Sequence, residues 1–440
     1  MGNLDWLDRS RAAVWHPCTQ MKHHDTGALP LVPVARGEGA WLYDFEGNRY
    51  LDAIGSWWVN LFGHANPRIN AALKDQLDRL EHVMLAGFTH APAVELSERL
   101  AALTRNALGH CFYASDGSSA VEIALKMSFH CWRNGGRPEK NRFLCLAGSY
   151  HGETLGTLGV GDVALYKDAY APLLRQAATV PSPDARAAGP GETATDVAGR
   201  AAAALEAYLA EHRESIAAFI VEPLVQGAGG MVMYDPHYLR LARELCDRYA
   251  VHLICDEIMV GFGRTGTLFA HEQAGIRPDF LCLSKGLTGG YLPLSAVMTT
   301  DEVYAAFYDD ALTRGFLHSH SYTGNPLACR AALATLDIFA EDDVLARNRR
   351  FAKRFTALLA PLAKHPLVRD FRQCGMIWAV DIDTRDPEFR PRFFRNALRH
   401  EVLLRPLGTT VYFMPPYILD DREAVLLAER AVQTLDATLP

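Results

Sequence analysis

Short apolar runs alternate with longer segments of helical periodicity through the middle of the chain. Five runs have the length and composition of buried strands, namely Cys111–Ala114, Phe143–Ala147, Ile216–Val221, Val251–Cys255 and Phe280–Leu283. Apolar residues at helical spacing predict helices between these runs, at Ala120–Trp132, Ala201–His212 and Tyr238–Tyr249. Strands that alternate with helices predict an α/β fold, in which a mainly parallel sheet lies between helices.

The two ends of the chain predict a second, smaller α+β domain. Residues 1–24 are predicted to form an arm, and Gly39–Asp52 has the alternation of a hairpin. Segment 181–200, which is rich in Pro, Gly, Ala and Thr, is predicted to be a loop. We therefore expect an N-terminal arm with part of the small domain over 1–65, a large domain over 66–330 and a C-terminal small domain over 331–440.

Two of the predicted strands end at groups that an apolar strand would not bury. Asp256 follows the run Val251–Cys255, and Lys285 follows the run Phe280–Leu283 after one serine. In parallel sheets, ligands bind beyond the carboxyl ends of the strands. A lysine in an apolar pocket has a lowered pKa and can form a Schiff base with an aldehyde. A carboxylate that faces the pyridine nitrogen of pyridoxal 5'-phosphate keeps that nitrogen protonated.

This pair of residues therefore indicates a pyridoxal phosphate site. Lys285 combines an apolar strand before it with a glycine-rich turn after it, at Gly286, Gly289 and Gly290. The alternative interpretation is a surface lysine at a strand end, with Asp256 acting as a helix cap.

Other polar segments also follow predicted strands. Ser115–Ser119 lies between a strand and a helix, so its backbone N–H groups and hydroxyls suit a phosphate monoester. A plain N-terminal cap by Ser or Asp is the alternative. Tyr150 follows Phe143–Ala147 and could lay its ring on a flat cofactor, or could be a turn residue with a buried ring.

Two features outside the predicted sheet carry candidate chemistry. Arg405 stands in an apolar context, where it fits either a bidentate clamp for a carboxylate or a structural ion pair. Trp57 and Trp58 are adjacent in sequence, and an aromatic pair of this kind lies more often in a core or an interface than in a functional site.

A competing motif lies in the central stretch. Gly261–Gly266 matches G-x-G-x-x-G, the dinucleotide fingerprint, whose glycines directly follow a strand and open a helix. Here Asp256–Met259 intervenes, and no convincing βαβ unit carries the acidic residue of that fingerprint on a second strand. The sequence therefore gives little support to nicotinamide binding.

Composition limits the remaining classes of function. A formal net charge of −7 and a pI near 6.2 give no support to binding of nucleic acid or anionic membranes. The nine cysteines are scattered without a C-x-x-C motif, so we expect neither a disulfide framework nor a zinc site. Met1–Gln20 lacks an apolar signal core, and no uncharged run approaches membrane-spanning length. We expect a cytoplasmic enzyme that acts on small-molecule substrates.

The motifs, in their order along the chain, resemble the class III (ω) aminotransferases of pyridoxal phosphate fold type I. The resemblance covers nearly the whole chain and includes the Gly261–Gly266 motif. The motifs that carry it are Ser115-Asp116-Gly117-Ser118, Tyr150-His151-Gly152, Glu222-Pro223, Asp256-Glu257, Ser284-Lys285 and Gly324-Asn325-Pro326.

The resemblance implies a role for each candidate residue. Lys285 forms the Schiff base and moves the proton, Asp256 pairs with the pyridinium nitrogen, and Tyr150 stacks on the ring. The residues implied to hold the phosphate are Asp116, Gly117 and Ser118, together with His320 and Ser321 from the partner subunit of a homodimer. The residues implied to bind substrate are Cys18, Trp57, Tyr150, Ser319 and Arg405, with Arg405 on the carboxylate.

Further motifs resemble one branch of this class, which aminates 8-amino-7-oxononanoate in biotin biosynthesis with S-adenosylmethionine as donor. They include Trp15-His16-Pro17, Ser56-Trp57-Trp58, Thr89-His90-Ala91-Pro92, Val225–Met231 and Arg405-Pro406. Lysine as the donor, or an ω-aminotransferase for ornithine, 4-aminobutyrate or a diamine, is the alternative. A regulator that binds pyridoxal phosphate without catalysis is disfavoured, because no basic helix-turn-helix extension is visible.

The chain departs from this pattern at two places. The best-known members carry a tyrosine after His-Pro, where it contacts the substrate and the adenine of the donor, whereas this chain has Cys18. Where they have His-Gly-Pro-Thr, this chain has His318-Ser319-His320-Ser321, in which Ser321 still offers a hydroxyl. Because a cysteine has no flat ring, Cys18 cannot stack on adenine as a tyrosine can.

Overall fold

A computed structural model describes residues 1–439. The chain divides into two compact units. The first combines Met1–Asn70 with the chain from Ala346 onward, and the second is Ala71–Leu345. These divisions lie close to the boundaries predicted after residues 65 and 330. The later one differs because helix Pro326–Glu341 packs against helix Ala91–Leu103 within the second unit.

The strands are numbered along the chain. They are β1 (Val34–Glu38), β2 (Trp41–Asp44), β3 (Arg49–Asp52), β4 (His110–Ala114), β5 (Arg142–Leu146), β6 (Ala178–Val180), β7 (Ile216–Val221), β8 (Val225–Gln226), β9 (Val232–Met233), β10 (His252–Asp256), β11 (Phe280–Leu283), β12 (Ser295–Thr299), β13 (Val368–Cys374), β14 (Ile377–Ile382), β15 (Val402–Leu403) and β16 (Thr410–Phe413).

The helices are numbered in the same way. They are α1 (Asn3–Ala13), α2 (Met21–Asp25), α3 (Gly55–Trp58), α4 (Pro67–Leu77), α5 (Ala91–Leu103), α6 (Gly117–Asn134), α7 (Leu155–Gly159), α8 (Ala164–Lys167), α9 (Ala194–His212), α10 (His237–Arg248), α11 (Asp301–Ala305), α12 (Pro326–Glu341), α13 (Val344–Leu358), α14 (Ala360–Ala363), α15 (Phe389–Arg399) and α16 (Asp421–Thr438).

The second unit is built on a seven-stranded sheet in the order β4-β12-β11-β10-β7-β5-β6. The pairs β11–β10, β10–β7, β7–β5 and β5–β6 are parallel, as the pattern predicts. Strand β12 runs antiparallel to both of its neighbours, because only the short segment Ser284–Leu294 joins it to β11. The sequence pattern did not predict β12.

Helix α6 supplies one covering layer of this sheet. Its apolar side chains, among them Val121, Ala124 and Leu125, are buried in one cluster with residues of β7, β10, β11 and β12. Asp116 caps the helix by accepting a hydrogen bond from the backbone N–H of Ser119 at 2.9 Å. The cap fixes where the helix begins, and therefore where its N-terminal N–H groups lie.

The predicted loop at 181–200 is wrong in its second half. Helix α9 already begins at Ala194, because Thr193 and Asp196 form a reciprocal capping box. The alanine-rich sequence that follows has high helix propensity. Composition suggested a loop, whereas the capping pair determines the helix start.

The first unit contains two small sheets. One has the order β1-β2-β3-β15, with β15 parallel to β3, and the other is the antiparallel sheet β13-β14-β16. Helices α15 and α16 pack against each other beside them. This is the predicted α+β composition. Strand β13 was not predicted, because it is a partly exposed edge strand with charged residues at Arg369, Asp370 and Arg372.

Among residues 1–439, the structure contains no helix that is long and apolar enough to cross a membrane.

Candidate active site

The carboxyl ends of β10 and β11 bring Asp256 and Lys285 to the same edge of the sheet. The two strands are adjacent and parallel, and Asp256 is in register with Cys282. Lys285 follows β11 after Ser284, has a positive φ of 49° and begins a short 3-10 helix. Burial lowers the pKa of Lys285 to about 8, although the negative charges of Asp256 and Glu222 oppose this shift. Lys285 is therefore an amine that can be neutral near neutral pH.

Asp256 is buried and held in a fixed orientation. One carboxylate oxygen accepts a hydrogen bond from His151 Nδ1 at 2.7 Å, and the other accepts from the backbone N–H of Ile258 at 3.1 Å. Because the carboxylate accepts, Nδ1 of His151 carries the proton. Nε2 of His151 is buried and makes no hydrogen bond to any group within residues 1–439. His151 thus orients Asp256 from a site closed to solvent.

Glu222 links the loop after β5 to the loop after β7. Its two oxygens accept hydrogen bonds from the backbone N–H groups of Tyr150 and Gly227, both at 2.9 Å. Burial, with a further contribution from the charge of Asp256, raises the pKa of Glu222 to about 7, against the lowering effects of His151 and the two N–H groups. Neither His151 nor Glu222 was assigned a role from the sequence. The signals available were their position at strand ends and their place in the motifs Tyr150-His151-Gly152 and Glu222-Pro223.

Tyr150 is positioned by contacts at both ends of the residue. Its backbone N–H is held by Glu222, and its hydroxyl donates to Glu153 Oε1 at 3.0 Å. The ring packs edge-on against Tyr166, with the ring centroids 5.4 Å apart. Tyr150 is also the chain neighbour of His151, so it lies beside the residue that holds Asp256.

The start of α6 lies directly against the loop that follows β10. A Cβ added to Gly117 would approach Ile258 Cγ2 to 2.9 Å, so only glycine fits there. Gly152 has φ of 127°, and a Cβ at that position would collide with the Ser118 side chain. These close approaches bring the N-terminus of α6, the Tyr150 loop and the end of β10 close together. Asp116 also makes the predicted cap, so the two interpretations of this segment are compatible.

The segment His318–Ser321 contacts other parts of the second unit. His318 Nδ1 lies 2.8 Å from Lys126 Nζ on α6, and His318 Nε2 lies 3.3 Å from His320 Nε2. Ser319 and Ser321 are exposed. The contacts recorded for His320 are with His318 and Thr323, and not with Lys285 or Asp256.

The first unit contains a cavity of about 340 Å³ that includes Trp57 and Arg405. Arg405 is the only residue with a permanent charge among the described residues that line it, and most of the others are apolar. Its guanidinium carbon lies 5.4 Å from the centroid of the Trp57 ring, within range of a cation–π contact. A mostly apolar cavity whose lining includes an arginine suits a ligand with a carboxylate at one end of an aliphatic chain.

The N-terminal arm forms part of the wall of this cavity. His16, Pro17 and Thr19 line it. Cys18 lies between them with an exposed side chain and a positive φ of 51°. At the position where a tyrosine occurs in the best-known members, this chain thus presents a small thiol beside the cavity.

The tryptophan pair lies in a left-handed turn. Gly55, Ser56, Trp57 and Trp58 have φ values of 56°, 45°, 70° and 73°. Left-handed backbone costs non-glycine residues about 1–2 kcal/mol each, so the turn costs roughly 3–6 kcal/mol. Trp58 offsets part of this cost, because it is buried and packs edge-on against Tyr412. Trp57 remains 42% exposed.

The chain belongs to the class III aminotransferase family. The family model described as "Aminotransferase class-III" matches residues 22–435. Two curated relatives, from Helicobacter pylori and Geobacter sulfurreducens, both bear the name adenosylmethionine-8-amino-7-oxononanoate aminotransferase. The first is 48% identical and the alignment covers 96% of each chain; the second is 41% identical and covers 98% of this chain and 97% of the relative.

Solved structures have the same fold. The adenosylmethionine-8-amino-7-oxononanoate aminotransferase of Methanocaldococcus jannaschii superposes with a TM-score of 0.91 at 32% identity, covering 99% of each chain. An ω-transaminase from Pseudomonas jessenii in complex with PMP gives a TM-score of 0.92 at 29% identity, covering 98% of this chain and 97% of that one. The predicted family and the predicted fold type are thus confirmed.

Proposed function

We propose that this chain is a pyridoxal phosphate-dependent aminotransferase of biotin biosynthesis. It transfers an amino group from S-adenosylmethionine to 8-amino-7-oxononanoate and so forms 7,8-diaminononanoate in a ping-pong reaction. The names of the relatives at 35–48% identity support this substrate pair. One observation supports the reaction class most strongly. Buried Asp256 and Lys285, whose pKa is lowered, both lie at the carboxyl ends of two adjacent parallel strands.

The residues of the second unit fit the cofactor. The close approaches of Gly117 to Ile258 and of Gly152 to Ser118 hold the N-terminus of α6 beside the loops that follow β5 and β10. We assign Asp116, Gly117 and Ser118 to the phosphate, where the helix N-terminus favours a negative charge. Tyr150 is assigned to the face of the ring, and Asp256 to its nitrogen.

The chain's own residues then position and move protons. When bound, pyridoxal phosphate accepts the electrons left behind at the substrate Cα. Asp256, oriented by His151, would hold a proton on the pyridine nitrogen. With the cofactor bound, Lys285, whose pKa burial lowers to about 8, would hold the cofactor and would move the proton that leaves the substrate Cα.

The cavity of the first unit is assigned to the acceptor. Arg405 binds the carboxylate of 8-amino-7-oxononanoate through its fork of N–H donors, and Trp57 lines the path of the aliphatic chain. The low polarity of the cavity lining suits such a chain.

The proposal includes a homodimer in the cytoplasm. His320 and Ser321 reach the phosphate, and Ser319 the substrate, from the partner subunit. The exposure of Ser319 and Ser321 in this chain supports that role.

A donor–acceptor matrix tests the proposal. The purified holoenzyme is incubated with 8-amino-7-oxononanoate and, separately, S-adenosylmethionine, lysine, ornithine, 4-aminobutyrate or a diamine. Mass spectrometry then detects 7,8-diaminononanoate. We expect product with S-adenosylmethionine. If lysine is the only donor that gives product, the donor assignment is wrong and the acceptor assignment stands. If the enzyme aminates other keto compounds in preference to 8-amino-7-oxononanoate, the acceptor assignment is wrong.

Arg405→Lys should weaken use of the acceptor and spare the donor half-reaction. An ammonium cannot reproduce a bidentate fork, and losing such a contact costs about 2 kcal/mol or more, roughly 30-fold in kcat/KM. Each half-reaction is followed separately by stopped-flow absorbance of the cofactor. Arg36→Lys, at an exposed arginine of the same unit, is the control. Equal damage to both half-reactions would assign Arg405 a structural role.

Cys18→Tyr should lower the KM for S-adenosylmethionine. A flat ring offers a stacking surface to adenine, worth about 1–3 kcal/mol by analogy with base–aromatic stacking, or roughly tenfold in KM. The KM for 8-amino-7-oxononanoate should remain nearly unchanged. Cys18→Leu bears the same left-handed backbone without a flat ring, and it is therefore the matched control. An equal gain in both variants would show that bulk, and not stacking, improves donor binding.

A further inference from the structure

We propose that Asp52 and His64 are positioning residues for the acceptor cavity. In this proposal they hold the left-handed turn at Ser56 and Trp57, so that the Trp57 indole stays beside Arg405. The inference rests on the proposed function, because it assigns Trp57 to the wall of the acceptor cavity.

Asp52 is joined directly to the turn. It is fully buried, and its carboxylate accepts hydrogen bonds from the backbone N–H of Ser56 at 2.9 Å and from the Ser56 hydroxyl at 2.6 Å. Ser56 is the residue immediately before Trp57. Ser56 is the first non-glycine residue with a left-handed backbone in the turn, and both its backbone and its side chain donate hydrogen bonds to the carboxylate of Asp52.

A chain of hydrogen bonds sets the orientation of that carboxylate. The carbonyl oxygen of the Asn60 side chain accepts a hydrogen bond from the backbone N–H of Gly63 at 2.7 Å. The amide nitrogen of Asn60 therefore faces His64 Nδ1, 3.2 Å away. An amide nitrogen can only donate, so Nδ1 of His64 accepts and Nε2 carries the proton. Nε2 then donates to Asp52 Oδ2 at 3.0 Å. Each donor in this series of hydrogen bonds is thus paired with an acceptor.

His64 is itself fixed by the neighbouring sheet. Its backbone exchanges two hydrogen bonds with Gly39, at 2.7 and 3.1 Å. A Cβ added to Gly37 would approach the His64 side chain to 2.7 Å, so the imidazole lies directly against the backbone of β1. The network thus extends from a strand of the sheet to the turn without involving any residue of the cavity except Ser56.

Burial does not account for the conformation of Trp57. Trp57 keeps 42% of its surface exposed, whereas its neighbour Trp58 keeps 5%. A strained backbone at an exposed aromatic residue indicates a functional constraint, because strain persists only where the surroundings impose it. Ile54, Ser56 and Trp57 all line the cavity that contains Arg405, so the turn forms one continuous part of its wall.

Asp52→Asn is the informative substitution. The carboxylate accepts three hydrogen bonds, whereas an amide of the same shape must direct its NH₂ group at one of these donors. Asp52 lines neither the cavity nor the Lys285 site. We therefore expect kcat/KM for the acceptor to fall about tenfold or more, and the donor half-reaction to change by less than about twofold.

The experiment combines kinetics with a signal from Trp57 itself. Near-ultraviolet circular dichroism is measured for the holoenzyme and for Asp52→Asn, each with and without Trp57→Phe, so that the difference isolates the band of Trp57. We expect this band to weaken in Asp52→Asn and, to a smaller extent, in His64→Gln. Asp381→Asn, which breaks comparable hydrogen bonds in the sheet β13-β14-β16, is the control for general destabilisation.

A rescue separates positioning from stability. Ser56→Gly relieves the left-handed conformation of its steric cost, so Asp52→Asn combined with Ser56→Gly should recover the Trp57 band and most of the acceptor kcat/KM. An unchanged Trp57 band in Asp52→Asn would overturn the proposal, as would equal losses in Asp381→Asn. If the wild-type enzyme does not aminate 8-amino-7-oxononanoate, the proposed function fails, and the Trp57 band still decides the role of Asp52.

Discussion

Lys285→Ala is expected to lower the single-turnover rate of amino transfer by about 10²- to 10⁴-fold or more. In the proposed function its amine both anchors the cofactor and moves the proton, and a positioned general acid–base alone contributes that factor. The rate is measured by rapid mixing of the holoenzyme with S-adenosylmethionine. Borohydride reduction and peptide mapping of the wild-type protein should place the pyridoxyl mass on Lys285.

Lys140 provides a matched control for this substitution. Burial lowers the pKa of Lys140 to about 8 as well, but its Nζ donates to the carbonyl oxygens of Arg213 and Ile216 at 2.7 and 2.9 Å. Lys140→Met should therefore destabilise the fold and keep the label on Lys285. A pyridoxyl group on Lys140, or on any lysine other than Lys285, would contradict the assignment.

Asp256→Asn is expected to retain the cofactor on Lys285 and to lose amino transfer by roughly 10²- to 10³-fold, the usual effect of removing one preorganised electrostatic partner. A neutral amide cannot hold the proton on the pyridine nitrogen, because it lacks the negative charge that stabilises the pyridinium. Single-turnover rates with donor and with acceptor should fall together, since both half-reactions use the same charge.

Glu257→Gln separates the role of Asp256 from the general effect of losing a buried carboxylate. Glu257 is the next residue, is equally buried, and accepts from His271 Nδ1 at 2.7 Å and from the backbone N–H groups of Ala270 and His271. Its bonds hold a loop, so the variant should melt at a lower temperature with a near-normal rate. A near-normal rate in Asp256→Asn would show that Asp256 is not the electronic partner.

The sequence predicts the large unit well where apolar runs are continuous. Ile216–Val221 and Phe280–Leu283 occur as strands with the predicted bounds, because each is wholly buried and no polar residue interrupts its pattern. Strand β12 is equally buried, but serine and threonine at its ends shorten the apolar run of Ser295–Thr299 to three residues. Its antiparallel direction follows from a short connection, which an apolar pattern does not reveal.

The start of α9 was missed for a different reason. The turn-forming composition of 181–200 masks the local pair Thr193 and Asp196, although this pair has the spacing of a capping box. Capping depends on two residues, whereas composition averages over the whole segment. A search for the capping pair would have found the helix start.

The site could be predicted only in part for a similar reason. Lys285 and Asp256 are conspicuous because each ends an apolar run. The role of His151 depends on a hydrogen bond to a residue 105 positions away, and that of Glu222 on two backbone groups in separate loops. A single sequence contains no record of such pairings. The same holds for Asp52 and His64, since no periodicity joins a strand residue to a loop residue.

The hydrogen-bonded turn around Trp57 has a consequence for protein engineering. Asp52, Ser56, Trp57, Asn60 and His64 all lie in one short stretch of chain, so the wall of the cavity and its supports can be transplanted together as a cassette. A graft of Asp52–His64 into another aminotransferase also requires a glycine at the position of Gly37, because a larger residue there would displace the imidazole. Arg405 lies on a distant segment and can be exchanged independently. Substrate range along the aliphatic chain and recognition of its carboxylate can therefore be selected as two separate traits.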